Sequence, residues 1–324
     1  MARVSAQAPA AVAATLLKVA VLLEAGTAPA AAWRHVGEAG DEAARRIHER
    51  LEAGTPAPQA IEEQGADAPR AGQARGGEAA AWRQVAAAWE IASTVGAPLA
   101  PSLRGTALAL RDAQEAMDDV RIALAEPAAT ARLMTWLPLF GVAVGAALGF
   151  DTLGVLVTHP IGIACLVAGV GLLVLARLWT ARLVRAAQPP AAVPGMHAEL
   201  TAIALGGGAS VDRARGLVRT AAEETGAPAP EEGIGGDGEG AAEREIDGVL
   251  ELSRRAGVPA VDLLRATAVQ QRHDARTEGR LRAARLGGRL LLPLGVCTLP
   301  AFLCLGVAPM LLAVLSTSPL PDLP

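Results

Sequence analysis

The sequence predicts an all-α membrane protein: two duplicated cytoplasmic helical bundles with three transmembrane helices. Three observations predict it. Aromatic residues make up 2% of the chain and Tyr is absent, which denies strands the side chains they favour. Alanine and leucine are abundant among the 52% hydrophobic residues and favour helix. Three long runs carry almost no charge, and two stretches of sequence repeat one another at a fixed offset.

Taken in chain order, residues 8–25 read as a first helix that stops at Gly26. Lys18 interrupts the apolar stretch and Glu24 follows it, so a helix fits better than a cleaved secretory signal. Residues 41–53 and 58–64 read as a short helical pair, and the Gly/Ala/Pro-rich stretch 65–77 as a mobile loop. A helix over 80–94 breaks at Gly96-Ala97-Pro98, and a long helix from Leu99 runs toward the first apolar run. These elements make up cytoplasmic domain 1, residues 1–132.

From Leu133 to Ala176 there is no Lys or Arg, and Asp151 is the one acid. The run divides into segments of about 18 and 19 residues, 133–150 and 161–179, each matching a hydrocarbon layer of ~30 Å at ~1.5 Å per residue. Together they predict a transmembrane hairpin over 133–179. Residues 290–315 form a third uncharged run, followed by an external tail, 316–324. Cytoplasmic domain 2 occupies 180–289. Arg132, Arg177, Arg182 and Arg185 flank the hairpin, and Arg280, Arg282, Arg285 and Arg289 precede the third run. The connector 151–160 and the tail carry no Lys or Arg, so the positive-inside rule puts both large domains in the cytoplasm and the C-terminus outside. Gly141, Gly145 and Gly149 recur every four residues, a spacing that lets helix backbones approach closely. Leucine at Gly145 is expected to disturb packing more than leucine at Gly169.

The repeat sets Glu90-Ile91-Ala92-Ser93-Thr94-Val95-Gly96-Ala97-Pro98 against Glu251-Leu252-Ser253-Arg254-Arg255-Ala256-Gly257-Val258-Pro259, an offset of 161 residues. It continues through Leu103 and Leu264, and through Thr106-Ala107 and Thr267-Ala268. The second half reads as a helix ending at Gly206 to Gly208, a helix capped by Ser210, a loop over 226–240 and a helix over 243–256. A long helix from Ala260 follows. Self-similarity at so long a period means duplicated domains. Arginines recur at equivalent places, Arg104 with Arg265, Arg111 with Arg272 and Arg121 with Arg282, and are candidate partner contacts. Arg104 and Arg111, seven apart, share a helix face, as do Arg265 and Arg272. The competing reading is a solvated face with local ion pairs such as Arg111 with Asp112 or Glu115.

Charge and motifs exclude several classes. Net charge is −4, from 29 basic and 33 acidic residues, which gives no basic excess for nucleic acid. Lys18 is the single lysine and Val19 follows it, so the chain has no Walker A loop. Gly233 to Gly238 matches Gly-x-Gly-x-x-Gly, but in a Pro/Gly/Glu-rich loop rather than between a strand and a helix. His35, His48, His159, His197 and His273 show no metal spacing, and no catalytic site or cofactor site is predicted. Cys297 and Cys304 are seven apart on one helix, roughly 10 Å along its axis, too far for a disulfide.

In order and spacing the chain resembles the type II secretion system F family, and within it the Tad (tight-adherence) pilus platform proteins. The resemblance rests on the Gly-x-Pro breaks of both halves and on the segment from Gly96 to Leu103. Glu126-Pro127-Ala128-Ala129-Thr130-Ala131-Arg132-Leu133, Leu137-Pro138-Leu139 and Gly149-Phe150-Asp151 add to it. It implies a non-enzymatic platform in the plasma membrane on which a hexameric ATPase acts to assemble pilin subunits, alongside a second platform protein or another copy. The competing class is a small membrane transporter or channel with regulatory cytoplasmic domains. It would need polar residues or broken helices near mid-bilayer.

Overall fold

The computed structural model describes residues 8–67, 73–147, 154, 160–186, 193–227, 238–309 and 311. Among the described residues every regular element is helical. The first six are α1 (Ala8–Glu24), α2 (Pro29–Glu38), α3 (Glu42–Glu52), α4 (Ala57–Ala66), α5 (Gln73–Val95) and α6 (Leu99–Ala147). Then follow α7 (Pro160–Ala186), α8 (Met196–Gly206), α9 (Val211–Thr225), α10 (Gly238–Ala256) and α11 (Ala260–Pro293). Beyond Pro293 the chain winds through π-helical turns at Leu294–Thr298 and Leu303–Val307, which flank a single α turn, Leu299–Phe302.

Local chemistry sets the boundaries. Gly26 at φ +87° stops α1 and Gly96 at φ +70° stops α5, conformations that carry little penalty only for glycine. Asp41 caps α3 by accepting from the Ala44 amide at 3.2 Å, and Ser210 caps α9 through the Arg213 amide at 3.4 Å. Of the expected loop over 65–77, residues 68–72 lie outside the described set, and the described residues on either side are mostly helix. α4 runs to Ala66 and α5 begins at Gln73, because the stretch carries alanine, arginine and glutamine as well as glycine. Gly65 serves as a contact: a Cβ there would lie 3.1 Å from Trp82 Cβ.

The chain forms two compact units. The first comprises Met1–Asp118 and Pro189–Thr277, the second Asp119–Gln188 and Glu278–Pro324. This grouping differs from separate bundles at 1–132 and 180–289, because the first unit draws on both halves. Its core is organised by α5, on which α1, α4, α8 and α9 all pack. Trp82, Val85, Ala86, Ala88, Trp89 and Ala92 are buried, so α5 is apolar around most of its circumference and has to be covered on several sides. Trp33 of α2 meets Trp89 with ring centroids 6.0 Å apart and planes tilted by 35°. Gly207, after α8, lies so close to Val95 that a Cβ would sit 2.8 Å from its carbonyl oxygen.

In the second unit, α7 packs against the π-helical and α turns after Pro293. Cys297, Ala301 and Leu305 are buried, whereas Leu292, Val296, Leu299 and Leu303 are exposed. The π turns follow from proline, whose ring crowds the carbonyl four residues earlier. Pro300 crowds Val296 and Pro309 crowds Leu305, and each crowded residue falls within a π turn.

One described helix is long and apolar enough to cross a membrane. It spans Pro160–Leu183, 24 residues with a mean hydropathy of 2.4, and 17% of its apolar window is buried. That exposure is the opposite of a soluble core helix. Neither of the other two expected spans reaches this length and hydropathy among the described residues. The first, 133–150, is the end of the continuous α6, with residues 148–150 outside the described set. The third contributes the shorter apolar run Gly295–Val307, and residues 310 and 312–315 of 290–315 lie outside.

Gly141 and Gly145 lie in α6 and Gly149 is outside the described residues. The close glycine in the second unit is Gly169, where a Cβ would stand 2.8 Å from Leu305 Cδ2. Leucine at Gly169 thus meets Leu305 directly, whatever its effect relative to leucine at Gly145. Gly169→Leu should cost about 1–3 kcal/mol through overpacking, read as a lower thermal midpoint in detergent, while leucine at Gly171, with open space around it, should cost far less.

Candidate functional site

Charged side chains gather where α6 and α11 run side by side. Arg272 Nε donates to Asp112 Oδ2 at 2.8 Å and Arg276 Nη1 to Glu115 Oε2 at 3.1 Å. Arg280 Nε donates to Asp119 Oδ2 at 3.1 Å. The first two pairs belong to the first unit and the third to the second. Sequence separations are 160, 161 and 161, so the helices are parallel; Glu115 and Asp119 each face their own duplicate, Arg276 and Arg280, while Asp112 faces Arg272, the duplicate of its neighbour Arg111. Acids supply one side and arginines the other. The Arg272 side chain is 7% exposed, whereas Arg276 and Arg280 are 35% and 56% exposed, so screening leaves the outer pairs worth about 0–1 kcal/mol each.

Helix α8 enters the same region. Gly195, at φ +75°, brings the start of α8 against Ala268 of α11, where a Cβ would meet the Ala268 Cα at 3.0 Å. Glu199, one turn on, is buried with its Oε1 3.9 Å from Arg265 Nε. Opposite it on α6 stands Gly105, where a Cβ would lie 2.9 Å from Glu199 Cδ. Burial pushes the Glu199 carboxyl above its ordinary range, opposed by the charges of Arg272 and Arg265.

The six duplicated arginines are not equivalent in space. Arg104 ion-pairs with Glu24 at the end of α1, and that contact holds the Glu24 carboxyl below its ordinary range. Arg265, its duplicate, faces Glu199. Arg111 is 61% exposed and pairs along its own helix with Glu115, whereas its duplicate Arg272 is buried against Asp112. Arg282 pairs with Glu278 on α11, and Arg121 is exposed. The structure thus brings Arg265 and Arg272 together around Glu199 and keeps Arg104 and Arg111 apart from that cluster. Glu199 and Arg276 were not singled out by sequence; Asp112 figured only as a local neighbour of Arg111, and Arg280 only among the arginines before the third apolar run. The available signal was the opposite charge of Glu115 and Arg276, and of Asp119 and Arg280, at duplicated positions.

His197, near the start of α8, has its Nδ1 buried without a hydrogen-bond partner. Desolvation pushes its pKa down, Glu243 raises it and Arg215 lowers it. Among the described residues no three His, Cys, Asp or Glu side chains are placed to hold a metal ion, and Cys165, Cys297 and Cys304 are free. No family model, curated protein or solved structure matches the chain.

Since His197 is held neutral, the unfolded chain takes up its proton first as pH falls below the ordinary value of 6.5. Stability should therefore drop between pH 6.5 and the lowered folded value, with a slope of at most about 1.4 kcal/mol per pH unit. In denaturant titrations across this range, His197→Gln should remove that component of the slope.

Proposed function

We propose that this protein is a membrane platform of a type II secretion or Tad-type pilus machine, coupling a cytoplasmic ATPase to pilin assembly. The observation that carries the reading is α7. An exposed helix of mean hydropathy 2.4 stands in the same chain as a highly charged helical unit, a combination suited to a membrane anchor bearing a cytoplasmic scaffold. The order and spacing of the Gly-x-Pro breaks, the Glu126-Pro127 segment and Gly149-Phe150-Asp151 support the same family. In this reading the hairpin and the 290–315 run are membrane spans, both large polar regions are cytoplasmic and the C-terminus is external. The protein acts without chemistry of its own, and its partners are the hexameric ATPase, pilin subunits, lipid and a second platform protein or another copy.

The π turns at Leu294–Thr298 and Leu303–Val307 favour a second reading, a small transporter, since transporters use interrupted helices. Pro300 and Pro309 account for both turns, and no charge lies within 290–309 to line a path.

The test is capture of the ATPase by the tagged full-length protein in detergent, together with pilus or secretion output in cells. Arg104→Glu with Arg265→Glu should abolish capture and assembly while the protein still accumulates in the membrane. Adding Glu24→Arg rebuilds the pair at Arg104 and separates loss of contact from loss of fold. Normal assembly by the double variant would return these arginines to internal pairing. Failure of the unaltered protein to capture the ATPase, with assembly intact in its absence, would overturn the platform reading.

A further inference from the structure

Glu199 and Arg272 each lack the partner that their burial demands. The Glu199 side chain is 4% exposed, and its contact with Arg265 at 3.9 Å is too long for a hydrogen bond. Arg272 is 7% exposed, and while its Nε serves Asp112, its Nη1 is buried with no acceptor. A buried carboxyl without a hydrogen-bond donor is costly to ionise, and a buried donor without an acceptor is costly in itself. Both sit on one seam. Arg265 and Arg272 are two turns apart on one face of α11, and Ala268 between them takes the close approach of Gly195. On the other side, the missing side chain of Gly105 makes the space that the carboxyl occupies.

We propose that Glu199 is the moving part of a proton-operated latch. On losing its proton to water it bonds Arg272 Nη1, which links Asp112, Arg272 and Glu199 across α6, α11 and α8. On regaining the proton it withdraws to the arrangement seen here, with Arg265 at arm's length. The latch belongs to the first helix after the apolar α7, with residues 187–195 between them. It does not depend on what the protein assembles.

The direction follows from linkage. In the present arrangement burial raises the carboxyl's pKa, so this arrangement is favoured at low pH and loses ground as pH rises. In the bonded arrangement a guanidinium donor favours the anion, so rising pH populates it. The charged groups acting on Glu199 are Arg272 and Arg265 from α11, with Asp112 of α6 acting through Arg272. On α8 itself, His197 interacts instead with Glu243 and Arg215.

Hydrogen exchange of the full chain in bilayers, followed from about pH 4.5 to about pH 8 and corrected for intrinsic rates, tests the latch. With His197→Gln in every chain compared, which removes that histidine's own titration, the amides of 196–206 should exchange about tenfold more slowly on the alkaline side of a single step. Glu199→Gln should remove the step. Gly105→Ala fills the carboxyl's seat while leaving every charge in place, and should also remove it. A profile without a step when Glu199 and Gly105 are unaltered, or a step that survives in either variant, would overturn the proposal. If Glu199→Gln does not accumulate, the Gly105→Ala profile decides alone.

Discussion

The seam between α6 and α11 constrains everything around it. The two helices are duplicates and run parallel, and Glu115 and Asp119 are each opposed by their own counterparts, Arg276 and Arg280, with Asp112 set one residue off against Arg272. A seam of this kind in a chain with identical halves would set Glu115 against a second glutamate and Asp119 against a second aspartate. The sequence avoids that repulsion by placing Arg276 and Arg280 at the duplicated positions. Individually these pairs are worth little, being partly exposed, but like charges in the same register would be destabilising. Their effect is on choice of partner: α6 pairs with α11 rather than with another α6. Once that pairing is set, the start of α8 reaches both helices at once, through Gly195 on Ala268 and Glu199 beside Gly105.

Much of the local architecture was legible in the sequence. Glycine stops, the Ser210 cap, the α3–α4 pair and the two long helices after Gly-x-Pro all follow from local chemistry, which acts over a few residues. The 161-residue offset was legible as well, but equivalence is not contact. Nothing in a repeat says that the two copies pack on each other, and so the halves looked like separate bundles. The same gap explains the arginines. Arg111 and Arg272 occupy equivalent sequence positions, yet one is exposed and pairs with Glu115 while the other is buried against Asp112. The partners each helix meets, and not the position in the repeat, decide which of the two is covered. Glu199 and His197 were invisible for a related reason: α8 reads as a plain Ala/Leu helix until the surfaces it touches are known.

Glycine proved the least legible residue. Regular spacing drew attention to Gly141, Gly145 and Gly149 and passed over Gly169, where Leu305 packs on the bare backbone. Spacing marks which residues share a face, and only the partner helix decides which of them is pressed. The apolar run after Arg289 carries prolines that permit a kink, and in the structure it widens at two points into π turns while its buried side stays against α7. Hydropathy is blind to that change because the composition is the same in either geometry.

The central claim is the in-register pairing of duplicated positions, and a set of double-mutant cycles tests it most directly. Charge-swap cycles would be measured by denaturant unfolding at Glu115 with Arg276 and at Asp119 with Arg280. A control cycle would join Glu115 with Arg280, one turn out of register. The account predicts favourable coupling of roughly 0.2–1 kcal/mol in the two in-register cycles, with stability regained when both charges are reversed, and near-additivity in the control. Equal coupling in all three cycles, or additivity at both in-register pairs, would contradict it.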